Sequence, residues 1–324
     1  MAEAVLLHET GGPEVLRVQS IEVGRPGPGE LRVRQTAVGV NFHDVYVRSG
    51  LYRTLSLPGI PGIEAAGIVE EVGDGVSGFA AGDRVAYVTV GYGAYASDRL
   101  LPAELAVRLP QGISEDLAAT VLLKGLTAEM LLRQVHKVQL GDLILVHAAA
   151  GGVGRLLCQW AAHIGATVIG TVGSEEKAEL ARSSGCEHVI LYRRENFVER
   201  VREITGGRGV DVVYDSVGKD TFQGSLDVLA TFGHLVNFGQ SSGSVGPFEV
   251  SCLSKGSNSL SRPMVFHYVA HRERLEAMAC TLFDALSQGA LIAEPGKAFP
   301  LSQAAAAHEE LESRRAPGPL LLVP

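Results

Sequence analysis

Ala148-Ala149-Ala150-Gly151-Gly152-Val153-Gly154 stands between an apolar run, Asp142–Ala148, and a helical pattern that contains Leu156–Ala162. A turn of this kind can set backbone N–H groups against a pyrophosphate. Gly151 lets the backbone approach the phosphates, Gly154 lets the helix pack on the strand, and Ala149 holds the first glycine place of the G-x-G-x-x-G pattern. The helix N-terminus adds N–H donors and positive partial charge. Alone, the turn is equally compatible with a structural role. The strand before it, the helix after it and a second strand-like run, Thr167–Val172, make it a dinucleotide-binding turn, with Gly151, Gly152, Val153 and Gly154 as its contacts.

The second strand ends Thr171-Val172-Gly173-Ser174. Sites selective for NAD place an Asp or Glu near this point for the ribose 2′-hydroxyl, and none stands at the strand's end here. Gly173 and Ser174 leave room, Lys177 follows one helical turn later, and Tyr192 and Arg193 close the next strand. Those charges would attract a 2′-phosphate, so the cofactor inferred is NADPH. The alternative makes Lys177 a solvated partner of Glu175 or Glu176 and Tyr192 an edge-strand aromatic.

A chain of 324 residues favours two domains at roughly 150 residues each. Hydrophobic residues make up 46% and charged residues 20%, which excludes global disorder. Up to about Leu122 the sequence is dense in Gly, Pro and Val, with extended segments such as Leu31–Val38 and Gly67–Val72, and reads as mostly β. Beyond Gly125, strands at Leu143–Ala148, Thr167–Val172, His188–Leu191, Asp211–Asp215 and His234–Phe238 alternate with helices near 154–163, 175–184, 195–204 and 221–230. That alternation predicts a parallel sheet with crossover helices. An amphipathic helix, Arg272–Gln288, a short helix near 302–313 and an apolar end, Leu320–Val323, complete the pattern.

The net charge of −8 opposes binding of a polyanion, because nucleic-acid recognition leans on Lys and Arg at phosphates. Cys158, Cys186, Cys252 and Cys280 are scattered, which suggests neither a zinc cluster nor a disulfide framework. The N-terminal MAEAVLLHETGGPE has no basic leader, and no stretch approaches the ~18 apolar residues of a membrane helix. A soluble, cytoplasmic protein is expected.

Gly39-Val-Asn-Phe-His-Asp-Val-Tyr-Val-Arg48-Ser-Gly, Gly67–Gly73, Gly82–Val85, Leu123–Thr127, Gly141–Gln159, Val213–Gly218, Asn237–Gly239 and Arg262-Pro263 occur in this order. Together they resemble, from end to end, the zeta-crystallin-like quinone oxidoreductases, the zinc-independent branch of the medium-chain dehydrogenase/reductase superfamily. The resemblance implies a GroES-like, mostly β catalytic domain from 1–124 and 266–324, and a Rossmann domain with a doubly wound parallel sheet from 125–265. Zinc-dependent relatives carry a Cys, a Gly-His-Glu and a four-Cys lobe, whereas the matching places here hold Asn41-Phe42-His43-Asp44 and Gly62-Ile63-Glu64. No metal is therefore expected.

Carried over by motif, the cofactor contacts are Asn41, Tyr46, Thr127, Gly152, Val153, Gly173, Lys177, Tyr192, Phe238, Gly239 and Ser241. Ser174, Val217, Met264, Val265 and Arg314 complete the expected set. Gln240 replaces an Asn usual in the family. Asn41 and Tyr46 are the expected catalytic pair: Tyr46 as donor to a growing oxyanion or as a packing group for the cofactor, Asn41 orienting carboxamide or substrate, with Asp44 and Lys124 fixing neighbours. His43 reads as a supporting polar residue, and Cys158 as a buried one. The implied reaction is metal- and flavin-independent reduction of quinones by NADPH. Reduction of 2-alkenals or enoyl double bonds on the same fold is the alternative, and a non-enzymatic, NADPH-regulated RNA-binding or structural role a third. Relatives imply a homodimer through the Rossmann edge near 242–262.

Overall fold

The computed structural model describes residues 1–313 and 318–324. Two compact units divide the chain: Met1–Leu123 with Val269–Phe283 and Ala293–Pro324, and Lys124–Tyr268 with Asp284–Ile292.

In the first unit, short runs punctuated by Gly and Pro form β1 (Ala2–Leu6), β2 (Arg17–Ile21), β3 (Glu30–Val40), helix α1 (Phe42–Arg48), β4 (Glu64–Val72), β5 (Arg84–Val88), β6 (Asp98–Pro102) and β7 (Ala106–Arg108). The division between units falls within α2 (Glu115–Glu129). Val5, Leu31, Val33, Tyr87, Tyr95 and Leu101 are fully buried in one core, each leucine contributing about 1.5–3 kcal/mol of burial.

The second unit alternates β8 (Leu143–His147), α3 (Gly152–Ile164), β9 (Thr167–Val172), α4 (Glu175–Ser183), β10 (His188–Leu191), α5 (Phe197–Ile204), β11 (Val210–Asp215), α6 (Phe222–Asp227), β12 (Leu229–Asn237), β13 (Ser259–Ser261) and α7 (Val265–Tyr268). All pairings in its six-stranded sheet are parallel, in the order β10-β9-β8-β11-β12-β13. The order reverses between β8 and β11. In doubly wound sheets that switch point is the crevice where dinucleotides lie.

The tail supplies α8 (Arg272–Ser287), β14 (Lys297–Pro300), α9 (Ala304–Ser313) and β15 (Leu320–Val323). Leu320 and Leu322 enter the first core, and β15 pairs antiparallel with β3, Leu320 opposite Val40. The seven-stranded sheet therefore runs β14-β15-β3-β4-β5-β7, with β6 also on β3.

Several boundaries differ from the sequence reading. The helix expected to 230 ends at Asp227, and β12 begins at Leu229. Leu229 lies opposite Val210, and the register then jumps so that Val212 faces His234. The extra residues form a bulge around Phe232, whose φ is +66°. Pairing with β11 overrides a helical apolar spacing. The tail, expected whole in the first unit, returns 284–292 to the second. There the Gln159 carboxamide donates to the Ile292 carbonyl at 3.1 Å and accepts its N–H at 2.6 Å. Lys124 likewise belongs to the second unit, and the expected change at 265/266 falls after Tyr268.

Candidate functional site

In the second unit, Ala148 takes φ +53° just past β8, so the chain turns sharply there. Gly151 closes the turn by donating its N–H to the Ala148 carbonyl at 2.8 Å. As N-cap of α3 it has no side chain to offer. The first-turn N–H groups of Gly152, Val153 and Gly154 have no acceptor within the helix. A Cβ on Gly154 would lie 2.3 Å from the Ala148 carbonyl oxygen, so only glycine allows this approach. Lys124, nine-tenths buried, lays its methylenes beside Gly152, where a Cβ would sit 3.0 Å from Cδ. Thr127 is half-buried one turn further along α2.

At the end of β9, Ser174 caps α4 by accepting the Lys177 N–H at 3.4 Å. Tyr192 folds its phenol over Gly173, where a Cβ would be 2.7 Å from the phenol oxygen, with Arg193 Nε alongside at 3.5 Å. Glu175, one of the carboxylates that the alternative reading gave to Lys177, is bound to Arg194 at 2.7 Å. The structure thus brings Gly173, Tyr192 and Arg193 together, with Ser174 and Lys177 opening α4 beside them.

The loops after β11 and β12 join each other. Phe238 and Gly239 donate their N–H groups to the Asp215 carbonyl at 2.8 and 3.3 Å, and Ser241 donates to the Ser216 carbonyl at 3.2 Å. Val217 donates to the Asp215 carboxylate at 2.8 Å. Met264 is exposed, and Val265, which opens α7, is buried. Arg314 lies outside the described residues.

In the first unit, Asn41 precedes α1. Its N–H is accepted by the Asp44 carboxylate at 2.8 Å, and its carboxamide donates to Glu64 Oε2 at 2.9 Å. Glu64, fully buried, also accepts the Leu123 N–H at 2.6 Å. Tyr46 is half-buried and stands edge-on to Tyr52, centroids 5.2 Å apart, while Phe42 lies 6.2 Å away. His43 is edge-on to Tyr52 at 5.5 Å, and its Nε2 is 3.3 Å from the Tyr92 hydroxyl, which also bonds Thr54. Burial lowers the His43 pKa to about 4, so its imidazole is neutral near pH 7. The same desolvation, together with the nearby Asp44 charge, raises the Tyr92 phenol, while the Thr54 hydrogen bond lowers it.

Sequence reasoning did not single out Tyr52, Thr54 and Tyr92. Tyr92 carried a signal, an aromatic residue between Gly91 and Gly93, and its φ of +55° is the strained backbone such a residue adopts only where its surroundings hold it.

A buried polar chain backs α1. Arg48 makes two bonds to Glu312, at 2.8 and 2.9 Å, and its Nη1 is 3.4 Å from His308 Nδ1. His308 Nε2 is 2.8 Å from the Tyr95 hydroxyl, which donates to Asp44 at 3.3 Å. Arg48 can only donate, so His308 accepts at Nδ1 and carries its proton on Nε2. Burial, aided by Arg48, lowers the His308 pKa to about 3. Above pH 6.5 both His43 and His308 are neutral folded or unfolded, and neither makes stability depend on pH. Below it the unfolded chain binds protons that the folded chain refuses, and each such histidine costs about 1.4 kcal/mol per pH unit. Unfolding midpoints in urea are therefore expected to fall from pH 6.5 toward pH 4, less steeply for His308→Gln. Equal slopes for variant and wild type would contradict this account.

The turn fits a nicotinamide dinucleotide: its helix N-terminus carries no side-chain cap, and Gly154 cannot carry a Cβ. A zinc ion does not fit. Asn41 stands where a metal site would need a thiolate, Glu64 is held by two N–H donors, and the described residues include no group of three metal-ligating side chains.

A GroES-like unit joined to a Rossmann unit with this turn defines a medium-chain dehydrogenase/reductase. Residues 27–111 match the alcohol dehydrogenase GroES-like domain and residues 152–279 the zinc-binding dehydrogenase domain. The chain is 48% identical to a quinone oxidoreductase of Pseudomonas aeruginosa over the whole of both chains. It belongs to the quinone oxidoreductase family. It is also 46% identical to a 2-haloacrylate reductase of a Burkholderia species, over all of this chain and 99% of that one. The crystal structure of Escherichia coli quinone oxidoreductase complexed with NADPH superposes with a TM-score of 0.96 at 45% identity, over 99% of this chain and 100% of that one.

Proposed function

We propose that the protein reduces quinones with NADPH. The observation that carries this reading is the open N-terminus of α3 at the switch point of the sheet, in a chain that matches a quinone oxidoreductase from end to end. NADPH, when bound, supplies the hydride. The N–H groups of Gly152, Val153 and Gly154 hold its pyrophosphate, with Gly151 shaping the turn. Lys177, Tyr192 and Arg193 hold the 2′-phosphate beside Gly173 and Ser174, while Thr127, Val217, Phe238, Gly239, Ser241, Met264 and Val265 shape the remaining surface. Asn41, oriented by Glu64, fixes a carboxamide, and Tyr46 donates to the oxygen on which charge grows.

Likeness to a 2-haloacrylate reductase supports a second reading, reduction of an activated double bond beside a carbonyl or carboxylate. The two are separated by following loss of the reduced nicotinamide absorbance with an ortho-quinone, a para-quinone, a 2-alkenal and a 2-haloacrylate, with NADH in parallel. Turnover of the quinones with NADPH supports the first reading, and preference for the alkenes moves the function to the second. NADPH binding without turnover of any acceptor removes both.

For the assembly we infer a cytoplasmic homodimer. No helix of the described residues is long and apolar enough to cross a membrane; β13 ends its sheet, and Val250 in the segment before it is exposed. Light scattering tests the dimer.

A further inference from the structure

The Rossmann unit contains a second, wholly internal polar chain. Thr171 Oγ1 is 2.9 Å from His147 Nδ1, and His147 Nε2 is 3.0 Å from Ser225 Oγ. Ser225 donates toward Asp215 Oδ2 at 3.3 Å and the Thr221 carbonyl at 2.9 Å. Asp215 also accepts the Thr221 hydroxyl at 2.8 and 2.9 Å and the N–H groups of Val217 and Gly218 at 2.8 and 3.0 Å. All four members of the chain are at most 2% exposed.

Each member stands at the carboxyl end of its strand or on the helix behind it. His147 ends β8 and leads into the phosphate turn. Thr171 lies one residue before the end of β9, and its carbonyl accepts the Ala149 N–H at 3.1 Å. Asp215 ends β11, and its carbonyl holds the loop after β12 through Phe238 and Gly239. The single Ser225 proton goes to the Thr221 carbonyl or to Asp215, so the Ser225 oxygen accepts from His147 Nε2–H and His147 Nδ1 accepts from Thr171.

We infer that Thr171, His147, Ser225 and Asp215 are positioning residues that hold the loops after β8, β9, β11 and β12 in one register, and thereby set the affinity for NADPH. The inference rests on the cofactor reading above. Hydrophobic packing alone would fix the strands, but not the height of each loop above the sheet. The network ties each loop to the next through hydrogen bonds between buried side chains. Burial keeps His147 neutral by lowering its pKa, so the imidazole has one donor and one acceptor, as the chain requires.

The test uses the full-length protein with Asp215→Asn, Ser225→Ala, Thr171→Val and Thr171→Ser. NADPH binding is read from the fluorescence of the nicotinamide and of the single tryptophan, Trp160 of α3. Hydrogen exchange at Val217 and Gly218 is read without cofactor. Asp215→Asn keeps the shape of the side chain and is expected to raise the NADPH Kd about tenfold, the worth of one charge-assisted hydrogen bond, and to speed exchange at both amides. Thr171→Val is expected to weaken binding in the same sense and Thr171→Ser to restore it, with the KM for the quinone unchanged throughout. Folded variants with wild-type NADPH affinity, or with lower kcat at unaltered affinity, overturn the inference. Failure of the wild type to bind NADPH overturns the cofactor reading instead. Should Asp215→Asn not fold, Ser225→Ala and the Thr171 pair decide the matter.

Discussion

Tyr46→Phe is expected to lower kcat about 100-fold, the usual loss when one donor to a developing oxyanion is removed, with little change in the NADPH Kd. The substitution takes away one oxygen and keeps the ring. The edge-on contact with Tyr52 and the packing beside Phe42 survive, and so does the backbone, because the Tyr46 carbonyl is held by the Tyr52 N–H at 2.9 Å. A role confined to packing would leave kcat where it was. Steady-state kinetics with a para-quinone at saturating NADPH, beside a binding titration, separate the cases. A raised Kd with unchanged kcat would make Tyr46 a cofactor contact and return the donor role to another group.

Lys177→Glu is expected to raise the KM for NADPH about 100-fold and to leave that for NADH nearly unchanged. A charge-assisted hydrogen bond to a phosphate contributes about 1.5–3 kcal/mol, and reversing the sign adds repulsion to its loss. Arg193 Nε lies beside Gly173, with the Tyr192 phenol closing one side, and Lys177 stands in the first turn of α4. The backbone of α4 does not depend on the lysine side chain, since Ser174 caps the helix through the Lys177 N–H. Equal losses with NADPH and NADH would place the 2′-phosphate elsewhere.

Much of this was legible in the order of residues. The strands of the Rossmann unit and the glycine turn repeat with the periods that parallel sheets and crossover helices impose, and β9 and β10 begin and end where the apolar runs do. The fold and the family followed from them. Less legible was whatever depends on contact between distant segments. Leu229 and Ala230 continue a helical spacing, yet pairing with β11 makes them strand. Gln159 draws 284–292 to the second unit through two bonds that no local pattern announces. Tyr52 and Tyr92 meet His43 only because the loops after α1 and β5 bring them to it. Glu64 read as a remnant of a metal site, and its occupation by Asn41 and Leu123 is visible only in three dimensions.

The pairing of β15 with β3 bears on how the molecule is made. The Rossmann unit draws nearly all its strands from one continuous stretch, so it can condense as soon as that stretch is synthesised. The sheet of the first unit lacks β14 and β15 until residues 297–323 exist, and its core lacks Leu301, Ala304, Ala307, Leu320 and Leu322. Closing so long a loop is entropically slow, and until it closes an edge of β3 stays exposed to other chains. During translation, therefore, the segment synthesised first is among the last to reach its native structure, and its waiting strands are where a chaperone would act.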